Sequence, residues 1–258
     1  MWPLIEELKV VTPRPKPLWG ILTVMLAAPV AAQDSGWDFS VSPYLWASGI
    51  ESSVDTQWGP VGVDLSASDV FSNLDFAFMG VFEARKDRWG LIADVFYVDL
   101  SASRDNPLGG AFSRARIGTK AKALSGYAAY RVSDSERFAV DLLGGFRIAE
   151  LDVDVALSPG GLPGQNLSAN ETWVDPVIGG RVRYEIGGNW FATAFADVGA
   201  FHGDSDSTWQ VFASIGYQLD ERWSFQGGWR HFSARKEIDG LDVETEFDGP
   251  LLGLTFRF

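Results

Sequence analysis

The chain has 258 residues and a formal net charge of −13, with 46% hydrophobic residues and no cysteine. That excludes disulfide staples, thiol catalysis and Cys-based metal sites, and an acidic balance argues against nucleic-acid partners, which need a basic face. No apolar run reaches the ~18 residues of a membrane-crossing helix.

Residues 1–32 read as a cleaved secretory leader. Lys9, Arg14 and Lys16 give positive charge, Leu18 to Ala28 is a short apolar core, and Val30-Ala31-Ala32 offers small residues for cleavage. Residues 33–258 then form a single domain.

From Trp37 onward, apolar residues alternate with polar ones in strand-length segments. Phe39, Val41 and Leu45 oppose Ser40 and Ser42. A polar stretch from Glu51 to Asn73 follows, then Phe76, Phe78 and Phe82 alternate with Asp75, Glu83 and Arg85. Lys86-Asp87-Arg88 is a tight turn, and Leu91, Ala93, Val95 and Tyr97 oppose Asp94. Residues 104–116 read as loop. Leu124 to Val132 descends to a turn at Ser133–Arg137, and Val140, Leu142, Phe146 and Ile148 ascend opposite Asp141 and Arg147. A Gly/Pro-rich loop covers about 157–171. The pattern repeats around turns at Gly187-Gly188-Asn189 and Asp220-Glu221-Arg222. Pro43 and Pro176 fall inside expected strands, where each removes a ladder hydrogen bond, and they predict local bulges.

Short turns thus alternate with long polar loops. Aromatics flank the turns: Trp89, Phe138, Trp190 and Trp223 after them, Tyr130, Tyr184 and Tyr217 before them, with Trp37 at the first strand. Amphipathic rings gather in this way at a membrane interface. The chain ends in alternation: Leu252, Leu254, Phe256 and Phe258 share one face.

This ending resembles the closing strand of bacterial outer-membrane β-barrels, whose assembly machinery reads a terminal Phe. The stretches S-P-Y-L-W at 42–46, F-E-A-R-K-D-R-W-G at 82–90 and W-V-D-P-V-I-G-G-R at 173–181 are similar to those of small Gram-negative outer-membrane barrels, the broad OmpA/OmpW-like porin group. The resemblance implies an all-β, up-and-down antiparallel transmembrane barrel of about ten strands, eight or twelve being the alternatives. It implies an outer-membrane location with periplasmic termini. The partners it implies are outer-membrane lipid, lipopolysaccharide and the barrel-assembly machinery. It implies no cofactor and no particular solute.

If the apolar faces meet lipid, the lumen receives Glu83, Arg85, Asp94, Arg131, Asp141, Arg147, Arg181, Arg183, Glu185, Asp197, Arg230 and Arg257. Acids and arginines are interleaved, so guanidinium–carboxylate pairs can lace a narrow interior. Arg181 and Asp197 lie within diagonal reach across one hairpin. The expectation is a structural barrel or a narrow pore for ions and small solutes.

An enzymatic alternative rests on His231 and Ser233, two residues apart on one strand face. The spacing resembles the His-x-Ser of outer-membrane lipid A 3-O-deacylases, with Glu244 or Glu246 to orient the histidine. The Asn-rich context expected after the serine is absent, and the chain reads Ala234-Arg235-Lys236 instead. An omptin-like protease would need acidic pairs at the rim, and His202 beside Asp204 and Asp206 is the sole hint of one. Asp204 and Asp206 are also the candidates for weak divalent-cation binding among the acidic loops.

Overall fold

The computed structural model describes residues 36–258, except 57–58, 106–109, 200–206 and 239–240. The proposed leader therefore lies outside the described residues. The strands are β1 (Asp38–Trp46), β2 (Gly49–Thr56), β3 (Gly59–Leu65), β4 (Leu74–Lys86), β5 (Trp89–Asp105), β6 (Phe112–Asp134) and β7 (Phe138–Pro159), followed by β8 (Gln165–Gly187), β9 (Trp190–Gly199), β10 (Ser207–Gln218), β11 (Trp223–Ile238) and β12 (Leu241–Arg257). One short helix, α1 (Ala67–Ser72), sits between β3 and β4.

β1 and β4 to β12 pair in sequence order, each antiparallel to the next, and β1 pairs with β12 to close a ten-strand barrel. Closure leaves no open edge in the lipid, where an unpaired backbone group is costly. The seam uses the terminal strand: Val41 lies opposite Phe256 and Leu45 opposite Leu252. Phe258 exchanges backbone hydrogen bonds with Phe39, and their rings stack at 5.9 Å.

The side chains that face away from the lumen are apolar from Trp89 to Tyr97 on β5 and from Phe138 to Ile148 on β7, roughly the 9–11 residues that a tilted membrane strand needs. One end of the barrel carries the short turns. Asp87 takes a left-handed φ of 51° in the β4–β5 turn, and Gly188 takes 60° between β8 and β9, conformations that favour Asp and Gly there. Aromatic pairs ring this turn end: Trp89 with Tyr130 at 4.9 Å, Trp190 with Tyr217 at 4.9 Å and Trp223 with Phe256 at 4.6 Å. Trp37 stacks on Phe39 at 6.5 Å. Phe138 lies opposite Tyr184 in register.

The opposite end differs from the sequence reading. The segments taken as loops at 104–116 and 157–171 are largely strand, because β6 begins at Phe112, β7 runs to Pro159 and β8 begins at Gln165. The polar stretch 51–73 holds the β2–β3 hairpin and α1. β2 pairs with β12 just beyond the point where β1 leaves it, from Asp248 opposite Gly49 to Val243 opposite Val54. β1 and β2 are thus nearly one strand with a step at Ala47–Ser48. A capping box closes α1: Ser66 Oγ accepts from the Asp69 N–H, and Asp69 accepts from the Ser66 N–H.

The expected proline bulges are not where the register breaks. Pro43 lies opposite Gly80 at the end of the β1–β4 ladder, and Pro176 lies opposite Phe146 in an unbroken β7–β8 register. Register shifts fall instead at Leu74/Phe76, Phe112/Arg114, Arg131/Ser133 and Glu185/Gly187. A ladder tolerates a missing donor where its pairing ends, so Pro43 needs no bulge.

Candidate functional site

The lumen holds the chemistry. Within the apolar belt, strand alternation turns the charged residues inward, because their neighbours along the strand meet lipid. The inward groups then form bonded tiers.

The tier nearest the turn end gathers three guanidinium groups around two carboxylates. Arg181 Nη1 and Nη2 donate to Glu83 at 2.7 and 2.8 Å, and Nη2 also reaches Asp141 at 2.9 Å. Arg85 donates to Asp141 at 3.0 Å and to Glu83 at 3.0 Å, and Arg131 Nε donates to Asp141 at 3.0 Å. Arg181 on β8 and Glu83 on β4 stand four places apart in the ring of strands, so their bond crosses the lumen.

The next tier is centred on Arg230. Its guanidinium donates to Tyr44 Oη at 2.8 Å, Asp94 at 2.9 Å and Gln210 Oε1 at 2.6 Å, while Tyr44 Oη donates to Asp94 at 2.8 Å. Again the partners come from far apart: Arg230 from β11, Tyr44 from β1 and Asp94 from β5.

The third tier is the most buried. Arg147 donates to both oxygens of Asp197 at 2.9 and 2.8 Å, to Ser125 Oγ at 3.0 Å, to Thr208 Oγ1 at 3.2 Å and to Tyr127 Oη at 3.2 Å. Tyr127 Oη donates to Asp197 at 2.7 Å, and Gln210 Nε2 donates to the same carboxylate at 2.6 Å. Gln210 thereby joins this tier to that of Arg230. A guanidinium taken out of water is tolerable only when its donors are met in this way.

Above these tiers lies an aromatic layer. Tyr44, Trp46, Met79, Val98 and Leu251 form a buried cluster, with Phe96, Phe212, Phe232 and Phe247 against it. The Arg230 guanidinium lies 4.9 Å from the Trp46 ring centroid, and that of Arg147 lies 5.1 Å from Phe232. On the turn-end side, a cavity of about 780 Å³ runs from Arg222 and Arg257 past the first tier to Arg230, Asp94 and Phe212. On the far side, a second cavity of about 340 Å³ shares no lining residue with the first.

The other inward charges lie nearer the turn end. Arg183 Nε donates to Glu185 at 2.7 Å, and its guanidinium sits 3.6 Å from the Phe191 ring centroid. Arg257 Nη1 donates to Gln218 Oε1 at 2.9 Å. Arg181 and Asp197 do not pair. The register sets Arg181 opposite Phe195, but its side chain turns to Glu83 and Asp141 and leaves Asp197 to Arg147. Tyr44, Tyr127 and Gln210 complete the network without being charged. Their one signal in the sequence is inward parity.

The parity that turns Arg230 inward sets its neighbour His231 outward, as the sequence implies. His231 faces outward, with its ring 4.6 Å from that of Trp209. Its Nδ1 lies 3.2 Å from Asp248, which also accepts from Trp229 Nε1 at 2.8 Å. Its Nε2 is buried and has no hydrogen-bond partner, so it does not engage Ser233, which is itself buried. Glu244 pairs with Arg235 at 2.8 Å, and Glu246 lies opposite Ser233 in register. His202, Asp204 and Asp206 lie outside the described residues. Among the described residues no cluster of acidic and histidine side chains could hold a metal ion.

No family model matches the chain, and no curated protein matches it. Solved structures do. The outer-membrane protease OmpT of Escherichia coli is similar at a TM-score of 0.59 and 9% identity, over 88% of this chain and 98% of that one. The fold is that of the Gram-negative outer-membrane β-barrels. The translocator domain of NalP from Neisseria meningitidis covers 88% of this chain and 90% of its own, at 11% identity and a TM-score of 0.44. Ail of Yersinia pestis covers 86% and 99%, at 12% identity and a TM-score of 0.38. Identities this low speak for the fold and for no activity.

Proposed function

We propose that the chain is a non-enzymatic outer-membrane barrel whose lumen is braced shut, with the turn end and both strand termini toward the periplasm and the long extensions outside. Its apolar belt would meet outer-membrane lipid and lipopolysaccharide, and its terminal strand would be the segment that the barrel-assembly machinery handles. The observation that carries the reading is the Arg181–Glu83 bond between strands four places apart. A side chain reaching that far narrows the middle of the barrel. The turn-end cavity passes it and reaches the Arg230 tier, so the closure we propose lies there and in the aromatic layer above. Barrels of eight strands are filled by side chains, whereas sixteen leave a water channel, and this filling suits the small end of that range. Purified protein in a planar bilayer should give no stable conductance. Stable steps that vanish when bulk is added at Arg181 or Arg230 would instead make it a narrow pore with a charged eyelet.

A lipid-modifying hydrolase is the second reading, favoured by the contact of His231 with Asp248. A carboxylate that orients a histidine is part of acyl-transfer chemistry. The serine is the weak member, since Nε2 of His231 reaches no partner. Incubation with lipopolysaccharide should release no fatty acid above background. Release that is lost in Ser233→Ala would establish the hydrolase.

A further inference from the structure

Inside and outside exchange character partway along the long strands. On β7 the outward positions run Leu142, Phe146, Ile148 and then Glu150, Asp152, Asp154, while the inward ones run Asp141, Arg147 and then Leu151, Val153, Val155. On β5 outward Val95 and Tyr97 give way to Asp99, and inward Asp94 gives way to Phe96, Val98 and Leu100. The outward charges pair across strands: Lys122 with Glu150 at 2.6 Å and with Asp152 at 3.0 Å, Lys120 with Asp99 at 3.7 Å. An apolar exterior around a polar lumen is the pattern of a barrel in lipid, and a charged exterior around an apolar interior is that of a barrel in water. The chain builds the second on top of the first.

That upper interior encloses the cavity of about 340 Å³. Trp46, Met79, Phe96 and Phe247 lie at its inner end, Leu151 and Val153 on its wall, and α1 brings Val70 and Phe71 to it. No charged side chain lines it. Of its few polar groups, the Ser52 and Thr245 hydroxyls bond each other at 3.1 Å, and Trp46 Nε1 donates to the Gly249 carbonyl at 3.2 Å. Water needs two or more polar partners to stay in such a space, whereas apolar guests do not. The volume is that of small-molecule pockets, which begin near ~300 Å³. A barrel that only had to be shut would need no second, apolar compartment beyond the aromatic layer.

We propose that this compartment is a binding site for an uncharged, apolar small molecule. The aromatic layer and the Arg230 and Arg147 tiers beneath it form its floor, so the guest is held at the far end of the barrel and is not passed through. The site does not depend on whether the lower lumen conducts.

The test uses the uncharged fluorophore N-phenyl-1-naphthylamine with the full chain in lipid nanodiscs, and empty nanodiscs of the same lipid as the reference. One saturable site per barrel is expected. Filling the cavity with Ala121→Phe or Val153→Phe should weaken it by about tenfold or more, since one methylene in an apolar pocket is worth roughly that much. The anionic relative 8-anilino-1-naphthalenesulfonate should bind correspondingly worse. Folding of each variant is read from its heat-modifiable migration on gels. Two variants at separate wall positions guard against one failing to fold. Uptake by wild type no greater than by empty nanodiscs overturns the proposal without any variant. So does equal binding by folded filled variants, or equal binding of the anionic probe.

Discussion

Arg147 and Asp197 meet at 2.8 Å inside the barrel, with side chains 2% and 0% exposed. They come from β7 and β9, so their bond passes behind β8. Removing one partner strands the other as a buried, uncompensated charge, at a cost of about 3–5 kcal/mol. Asp197→Ala should therefore lower the temperature at which the folded gel band is lost by a wide margin. The apolar pair Arg147→Met with Asp197→Leu should recover much of that loss, because replacing both ions is often close to neutral. A single variant that melts like wild type would show that the pair contributes little.

Gly249 sits where β1 steps across to β2. A Cβ there would stand 2.1 Å from the Ala47 carbonyl oxygen and 2.8 Å from Ser48 Cα. Backbone cannot yield as a flexible side-chain end can. Gly249→Val should cost about 1–3 kcal/mol, the usual range for overpacking, and should disturb Trp46, which donates to the same residue's carbonyl. Thermal melts and tryptophan emission report the two effects. A variant with unchanged stability would mean that the step shifts freely.

Asp152 stands on the charged exterior beyond the apolar belt. Burial by itself would raise its carboxyl, but hydrogen bonds from Lys122 and Asn170, together with the ammonium charge, hold it below its ordinary value. A carboxyl depressed in the folded state adds stability that is present above its unfolded value, near ~3.9, and is lost as pH falls through the folded value. Melting temperature should thus fall between pH 6 and pH 3 by more in wild type than in Asp152→Asn. Equal falls would remove this group from the acid response.

The cross-lumen arginines make a fourth expectation. Replacing Arg181 and Arg230 together by Ser removes both cross-lumen arginines but leaves Trp46, Phe96, Phe212 and Phe247 in place. A dry apolar constriction blocks ions without any charge. The double variant should stay silent in a planar bilayer. Steady current would assign the barrier to the ion pairs alone.

Parity explains what the sequence could reveal. Apolar alternation is imposed by lipid, so Glu83, Asp141 and Arg181 had to point inward, and the turns beside Trp89, Trp190 and Trp223 were readable. Partner choice was not. Strand register places Asp197 diagonal to Arg181, but a guanidinium on a long stem can reach across the lumen, and that geometry depends on closure. The upper strands were hidden for a different reason. At Tyr97–Asp99 and Ile148–Glu150 the apolar face changes sides, so a phase that had been strict looks broken and the continuation resembles loop. The cavity beyond it follows from that exchange, and no single segment shows it.

The tiers also bear on assembly. Arg230 is 186 residues from Tyr44 and 136 from Asp94, and Arg181 is 98 from Glu83. The carboxylates of these bonds arrive early in the chain and the guanidinium groups late. Arg85 and Arg131 can meet Glu83 and Asp141 within the early strands, but Asp94 finds its guanidinium only in Arg230, and a sheet still open at β1 and β12 keeps that pair wet. Burial of the Arg230 tier and closure of the seam then come together, since Tyr44 and Asp94 lie on the far side of that seam from Arg230. A partly wound barrel gains nothing from these bonds, and the last strand to be inserted releases their stabilisation all at once.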